Sequence, residues 1–418
     1  MATTTTPVAR TPRGERRRQQ ILDSAAVLFV EAGYRATSLR DIAAAVGISH
    51  PGLLRHFSSK DDVLRELVER LEAANESWFL AHERVDHPIT AVDIARRNAE
   101  QPGYLALFSA LAGEATTSTH PAHERMARRY AGMRSRAHGV AGAAGSFLPL
   151  GAGRTVADES VRLVAGWDGL QLLQLYLPDR VEVVRELERH QQLIARPYAW
   201  GIGTAAAAPG PIPVLRLDSA ATPEPAGNTA GRARRERIVA DAMALFAAEG
   251  YADTSMRTIA ERVGVSKSSL FHHYPTKEDL LRAVLAARDD EISQRPLTPA
   301  SSAAELLRDL PVGAAVNAER APGLIEVYSV LSCEATAARH PAHDYFRARF
   351  DSALDAFREL FAAAARDGDL PAHRDPEHEA IWLVALWDGL QIQWLYDRDG
   401  IDVAAQLAAH LDDVLPRR

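Results

Sequence analysis

The sequence predicts an all-α protein made of two homologous modules in one chain. Three observations lead there. The first is self-similarity. Gly14–Arg65 aligns without gaps on Gly231–Arg282, with 23 of 52 positions identical. The offset there is 217, from Gly14 to Gly231. It becomes 220 further on, where EATTSTHPAH (114–123) matches EATAARHPAH (334–343) and LVAGWDGLQLLQLY (163–176) matches LVALWDGLQIQWLY (383–396). A repeat this long is a pair of whole modules rather than a solenoid unit. The second observation is that apolar residues recur at helical spacing, and no segment alternates as a strand does. The third is a break between the copies. The stretch 201–231 holds five prolines and five glycines, which suits a linker and not a helix.

These signals divide the chain as follows: a disordered basic arm at 1–13, a first head at 14–62, a first helical C-terminal domain at 63–195 and a linker at 196–230. A second head at 231–279 and a second C-terminal domain at 280–418 complete it. The three-residue change of offset locates a length difference near 83–95 and 300–315. At roughly 5–6 Å × √n, the linker spans on the order of 30 Å, enough to bring the modules side by side.

Within each head the elements follow in order. Ile21, Ala25, Leu28 and Phe29 share one helical face, as do Ile238, Ala242, Leu245 and Phe246. Gly33 and Gly250 are placed to end those helices. Ser38, with Asp41 three residues on, opens a second helix as a capping box. That helix turns Leu39, Ile42, Ala43 and Val46 inward; Met256, Ile259, Ala260 and Val263 are the partners in the second copy. Gly47 and Gly264 make the tight turn that follows. Ser49 and Ser266 then cap a short third helix carrying Leu53 and Leu270 inward. A fourth helix starts at Ser59 or Thr276, with Asp62 or Asp279 at its third position.

The formal net charge is −7, which argues against a generally basic coat. Its distribution is uneven. Residues 8–60 hold nine Lys/Arg against four Asp/Glu, and 231–277 hold eight against five. Positive heads on an acidic body fit nucleic-acid binding, although basic helix starts are often merely solvated. A single cysteine, Cys333, rules out an internal disulfide and favours a cytoplasmic protein, expected to be nucleoid-associated where the heads bind DNA. No apolar run reaches the length of a membrane span, and the basic N-terminus lacks the apolar stretch of a secretory signal.

The pattern VGISHPGLLRHFSSK (46–60), repeated as VGVSKSSLFHHYPTK (263–277), reads as the turn and second helix of a helix-turn-helix. Such a helix enters the DNA major groove, so its outer face must be polar or small. His50, Pro51, Gly52, Arg55 and His56 occupy that face in the first copy; Lys267, Ser268, Ser269, His272 and His273 occupy it in the second. Thr37, Ser38, Thr254 and Ser255 stand where a helix N-terminus can meet phosphate, and Lys60 and Lys277 begin the next helix. Arg10, Arg13 and Arg16–Arg18 are expected to form an arm on the DNA backbone or minor groove. The alternative is a three-helix bundle with polar surface residues and no DNA.

AGYRATSLRDIAAAVGISHPGLLRHFSSKDDVL and EGYADTSMRTIAERVGVSKSSLFHHYPTKEDLL resemble the DNA-binding domain of tetracycline-repressor-like (TetR family) regulators. The resemblance covers about 50 residues in each module; the WDGLQ and HPAH segments are similar to the C-terminal domain of some members. It implies Ω-shaped subunits of nine or ten helices, pairing through a four-helix bundle. It also implies an unknown small-molecule effector in each C-terminal domain. The DNA-contacting positions it implies are Thr37, Ser38, Ser49, His50, Gly52, Arg55, His56 and Lys60 in the first module. In the second they are Thr254, Ser255, Ser266, Lys267, Ser269, His272, His273 and Lys277. Leu54 and Phe271 depart from the family, which often has a phosphate-binding Tyr there. The differing helix starts predict two heads that read different half-sites of a double-stranded operator.

Trp167, Asp168 and Gln171, with Trp387, Asp388 and Gln391, lie in strongly apolar helices. They are either core or a pairing surface, and pairing is preferred because both copies keep apolar stripes on two faces. The helices Val181–Ile194 and Ile401–Val414 would complete the bundle. His120 and His123, like His340 and His343, have a spacing that metals accept, with Glu114 or Glu334 nearby; an ordinary helix start explains them better, and no metal or cofactor is expected. Cys333 reads as a small buried hydrophobe. With no nucleophile elbow and no phosphate-cradling glycine loop, no enzyme is expected.

Overall fold

The computed structural model describes residues 12–143, apart from 33, 35–36, 85–87, 102, 119 and 121, and residues 155–195, 210–213, 229–249, 254–294, 300–320 and 322–417. Every element among them is a helix, and the chain forms two compact units, 1–89 and 90–418. Gly33, Gly250, Arg10 and most of the linker lie outside the described residues.

The first unit holds α1 (Pro12–Ala32), α2 (Leu39–Val46), α3 (His50–Leu54) and α4 (Lys60–His82). Ile21, Leu22, Ala25 and Phe29 of α1 form its core with Ile42, Ala43, Leu53, Phe57, Val63, Leu64 and Leu67. The capping box is present: Ser38 accepts from the Asp41 N–H, and Asp41 accepts from the Ser38 N–H at 2.8 Å. Gly47 ends α2 at φ 70°, in the left-handed region where a side chain would be strained. Of the expected basic arm, residues 1–11 lie outside the described residues. Pro12 and Arg13 already belong to α1, and Arg18 points inward. Its guanidinium lies 3.9 Å above the Phe57 ring, pairs with Glu66 and donates to the His56 carbonyl.

The second unit contains α5 (Ala91–Ala99), α6 (Tyr104–Glu114), α7 (His123–Ala143), α8 (Val156–Tyr176) and α9 (Val183–Ile194). It continues with α10 (Thr229–Glu249), α11 (Met256–Val263), α12 (Lys267–His273) and α13 (Lys277–Gln294), the second head. It ends with α14 (Ala303–Arg320), α15 (Pro322–Glu334), α16 (His343–Arg366), α17 (Pro376–Tyr396) and α18 (Val403–Val414). Thr229 and Ala230, expected in the linker, open α10. The helix pairs α8/α17 and α9/α18 match residue for residue at the offset of 220, whereas α5 is half the length of α14.

The centre of this unit is α8 against α17. Both are apolar nearly all round and buried along most of their length, as such helices must be. The backbones touch where side chains are missing. A Cβ on Gly169 would fall deep inside contact with the Ala385 carbonyl, and one on Gly389 would do the same at Ala165. Because 165 meets 389 while 169 meets 385, the helices cross antiparallel.

Flanking contacts repeat across this crossing. The Tyr176 hydroxyl donates to the Ser332 carbonyl and that of Tyr396 to the Ala112 carbonyl, each at 2.6 Å. His343 stacks on Tyr176 at 5.2 Å, and His123 on Tyr396 at 5.4 Å. The metal-like HPAH spacing is thereby explained. Each of these imidazoles donates Nδ1–H to a backbone carbonyl, Ala115 or Ala335, at 2.8 Å. His120 and His340 accept from the N–H groups of Ala122 and Ala342. Among the described residues no cluster of His, Cys, Asp or Glu suits a metal, and no helix is long and apolar enough to cross a membrane.

Candidate DNA-binding interface

In each head a single inward leucine sets the third helix. Leu53 and Leu270 are fully buried, so the opposite faces of α3 and α12 turn outward. Ser49 caps α3 by accepting from the Gly52 N–H at 3.2 Å, and Pro51 is accommodated in the first turn. Ser266 caps α12 by accepting from the Ser269 N–H at 3.1 Å. The turn before α12 repeats the left-handed glycine, Gly264 at φ 72°.

The expected contact residues fall into three groups. Arg55, Lys267 and His272 are exposed, and His50, Gly52, His56, Ser269 and His273 are partly so. These form the outward faces. Ser38, Ser49, Ser255 and Ser266 are N-caps whose oxygens already serve the helix backbone. They mark helix N-termini suited to phosphate. Thr37 and Thr254 are buried rather than on the outward faces, and Thr37 donates to the Leu28 carbonyl at 3.2 Å. Lys60 is also drawn inward. Its ammonium donates to the carbonyls of Tyr34 and Thr37 at 2.9 and 3.0 Å and lies 4.3 Å from the Tyr34 ring. It ties the start of α4 to the chain ahead of α2. Lys277 begins α13 half-buried.

Leu54 and Phe271, equivalent positions, are among the few large apolar side chains left exposed. An exposed apolar residue on a groove-facing helix fits a thymine methyl. Lys267 lies 5.6 Å from the Phe271 ring, which keeps its charge on the same face. Burial lowers the His273 pKa, and Arg235, His272 and Arg234 lower it further. The neutral ring can therefore both donate and accept hydrogen bonds.

Of the residues expected at the α8/α17 surface, Trp167, Asp168, Gln171, Asp388 and Gln391 are buried and Trp387 is partly exposed. The closest approach falls at the glycine of each WDGLQ motif instead. Burial raises the Asp168 pKa to about 7, against the pull of Tyr130 and Arg129. It raises that of Asp388 to about 7 as well, against Arg349 and Arg288.

Comparison with known proteins agrees with this geometry. Residues 21–67 and 238–284 each match the model for bacterial regulatory proteins of the tetR family, and 324–416 match the C-terminal domain of BetI-type transcriptional repressors. The chain is 50% identical over 52 residues to the HTH-type transcriptional repressor KstR2 of Rhodococcus jostii, covering 12% of this chain and 26% of that protein. It is 34% identical over 83 residues to the repressor AcnR of Corynebacterium diphtheriae, covering 20% and 43%. A longer match, 26% identical over 165 residues, covers 40% of this chain and 76% of the regulator SrpR of Pseudomonas putida. The chain thus spans less than half the length of the first two relatives. The chain therefore carries the DNA-binding domain of the tetR family of bacterial regulatory proteins twice, with a BetI-type C-terminal domain behind the second copy.

Proposed function

We propose that the chain is a sequence-specific, ligand-responsive transcriptional repressor whose two modules pair within one chain and bind an imperfect palindrome. The observation that carries this reading is the reciprocal packing of α8 and α17, with Gly169 on Ala385 and Gly389 on Ala165. An interface in which residue i meets j and j meets i is the arrangement of a twofold dimer. Here both halves belong to one polypeptide. The two outward recognition faces differ, HPGLLRH against KSSLFHH, so the half-sites differ too.

A polar cluster in the second module supports the ligand-responsive part of this reading. Asp289 in the second half of α13 is buried and accepts from Tyr345 at 2.6 Å and from Arg349 at 3.1 Å. Arg349 also donates to the Tyr328 hydroxyl at 2.8 Å. This cluster joins the last helix of the second head to α15 and α16. An effector that prefers one arrangement of it would shift the head, since only differential affinity moves such an equilibrium.

Sedimentation and footprinting test the proposal together. The expected result is a one-chain particle that protects two half-sites with one chain per operator. A stable two-chain species required for binding would overturn intramolecular pairing. No selective capture of DNA from a genomic fragment pool would favour a ligand-binding or interaction protein without DNA function. A second reading draws on the shortness of α3, five residues against seven in α12. In it the first module is a pairing scaffold and only the second reads DNA. Unchanged operator binding by Arg55→Ala, with loss by Lys267→Ala, would select it.

A further inference from the structure

The crossing of α8 and α17 is symmetric at its glycines and asymmetric around them. Arg180, just after α8, reaches three carboxylates of α16 and α17: Asp351 at 2.8 Å, Asp355 at 2.9 Å and Glu377 at 2.8 Å. At the offset of 220 the equivalent positions are Gly400 opposite Ala131, Ser135 and Ala157. The mirror site therefore holds neither the cation nor the acids. On that side Arg134 of α7 pairs instead with Asp397 and Gln393, at 3.0 Å each.

Shape differs in the same way. Trp382 of α17 is fully buried and lies against Gly166 of α8, where a Cβ would come within 2.6 Å of the ring. It also stacks on His190 of α9, with ring centroids 3.3 Å apart. The equivalents of Trp382 and Gly166 are Arg162 and Leu386. Gly113 faces its own equivalent, Cys333, and a Cβ on Gly113 would lie 2.5 Å from that of Cys333. His378 meets Glu186 at 2.6 Å, whereas the mirror pair is Asp158 with Gln406 at 3.0 Å.

We infer that this seam is a one-way lock: the first module accepts the second and rejects its own kind, with Arg180 and Trp382 as the residues that decide. Two second modules in this register would set Trp382 against Leu386 twice, and Cys333 against Cys333. Their Asp351, Asp355 and Glu377 would face only Gly400. Two first modules would set Asp158 against Glu186 and leave Arg180 opposite Ala131, Ser135 and Ala157. Like charges and unpaired charges set against a wrong partner add to the discrimination that the contacts with the correct one provide. The lock keeps heterotypic pairing ahead of like-with-like pairing, so that a first head and a second head share an operator.

The inference rests on the reading that the two modules pair, and full-length charge-swap variants test it. Arg180→Glu alone should lower the thermal midpoint by roughly 5 °C, as should Asp351→Arg/Asp355→Arg alone. Combined in one chain, the three changes should restore the midpoint and the wild-type mass. Mixed as two separately purified chains, the two variants should complement each other as a two-chain species containing one of each. Additive loss in the combined chain, with no mixed species, overturns the lock. A wild-type protein of two-chain mass that still shows cis rescue overturns intramolecular pairing and leaves the lock intact. Gly166→Leu provides an independent arm: its loss of stability should be relieved by Trp382→Ala in the same chain, and additive losses there count against the lock.

Discussion

Gly389 of α17 lies directly on the backbone of Ala165 in α8, and Gly169 of α8 lies on that of Ala385. These two glycines, which carry no side chain, set the distance between the two helices. The neighbouring Tyr176 and Tyr396 hydroxyls then fasten the flanks to α15 and α6.

Gly169→Ala or Gly389→Ala forces a methyl group into a carbonyl with no flexible side chain to yield. Each is expected to destabilise the second unit by about 3 kcal/mol, at the upper end of overpacking. Urea unfolding of the full chain checks this. Wild-type midpoints in both variants would mean that the helices do not meet here in solution.

Arg18→Ala removes the buried partner of an ion pair and leaves the half-buried Glu66 without it. A loss of roughly 3 kcal/mol in the stability of the first head follows. The position equivalent to Arg18 in the second head is Arg235, while that of Glu66 is Ala283. Hydrogen exchange should therefore show the loss in α1–α4 and not in α10–α13.

Arg55 and Lys267 are exposed on the two recognition faces. Removing a phosphate-contacting cation lowers the salt slope of log K by about 1. Removing a base-reading one costs about 1–3 kcal/mol and relaxes the sequence preference at one position. Titrating Arg55→Ala and Lys267→Ala against operator DNA at several salt concentrations separates the two roles. If neither variant changes affinity, slope or preference, the assignment of α3 and α12 as reading helices fails.

Asp168 and Asp388 have pKa values raised by burial to about 7. Tyr130 and Arg129 oppose the shift at Asp168, as Arg349 and Arg288 do at Asp388. Between the unfolded value near 4 and about 7, the folded state holds more protons than the unfolded state. Stability therefore falls as pH rises through that window and levels off above it, by on the order of 4 kcal/mol for each carboxyl. Asp168→Asn and Asp388→Asn should each flatten the pH profile of unfolding relative to wild type. Carboxylates with lowered pKa, such as Asp158 and Asp279, act in the opposite sense but are common to all three proteins. Parallel wild-type and variant profiles would show that these groups ionise freely in the fold.

The sequence by itself determined the duplication, the all-helical class and the details of the heads. Those features are local. A capping serine, a left-handed glycine and an inward leucine act within a few residues, and repetition at a fixed offset makes them visible twice. The inward placement of Thr37 and Lys60 is not local, because whether a polar side chain faces groove or interior depends on how α1, α2 and α4 close around it. The seam between modules was decided only by tertiary structure. Self-comparison drew attention to what the copies share, Trp167 with Trp387 and His123 with His343. The contacts that distinguish the halves lie where the copies differ: Gly166 against Trp382, Gly113 against Cys333, and Arg180 among Asp351, Asp355 and Glu377. Such pairs bring together residues about two hundred positions apart, and no local period encodes them. Only the packing of one helix on another turns their complementarity into an interface.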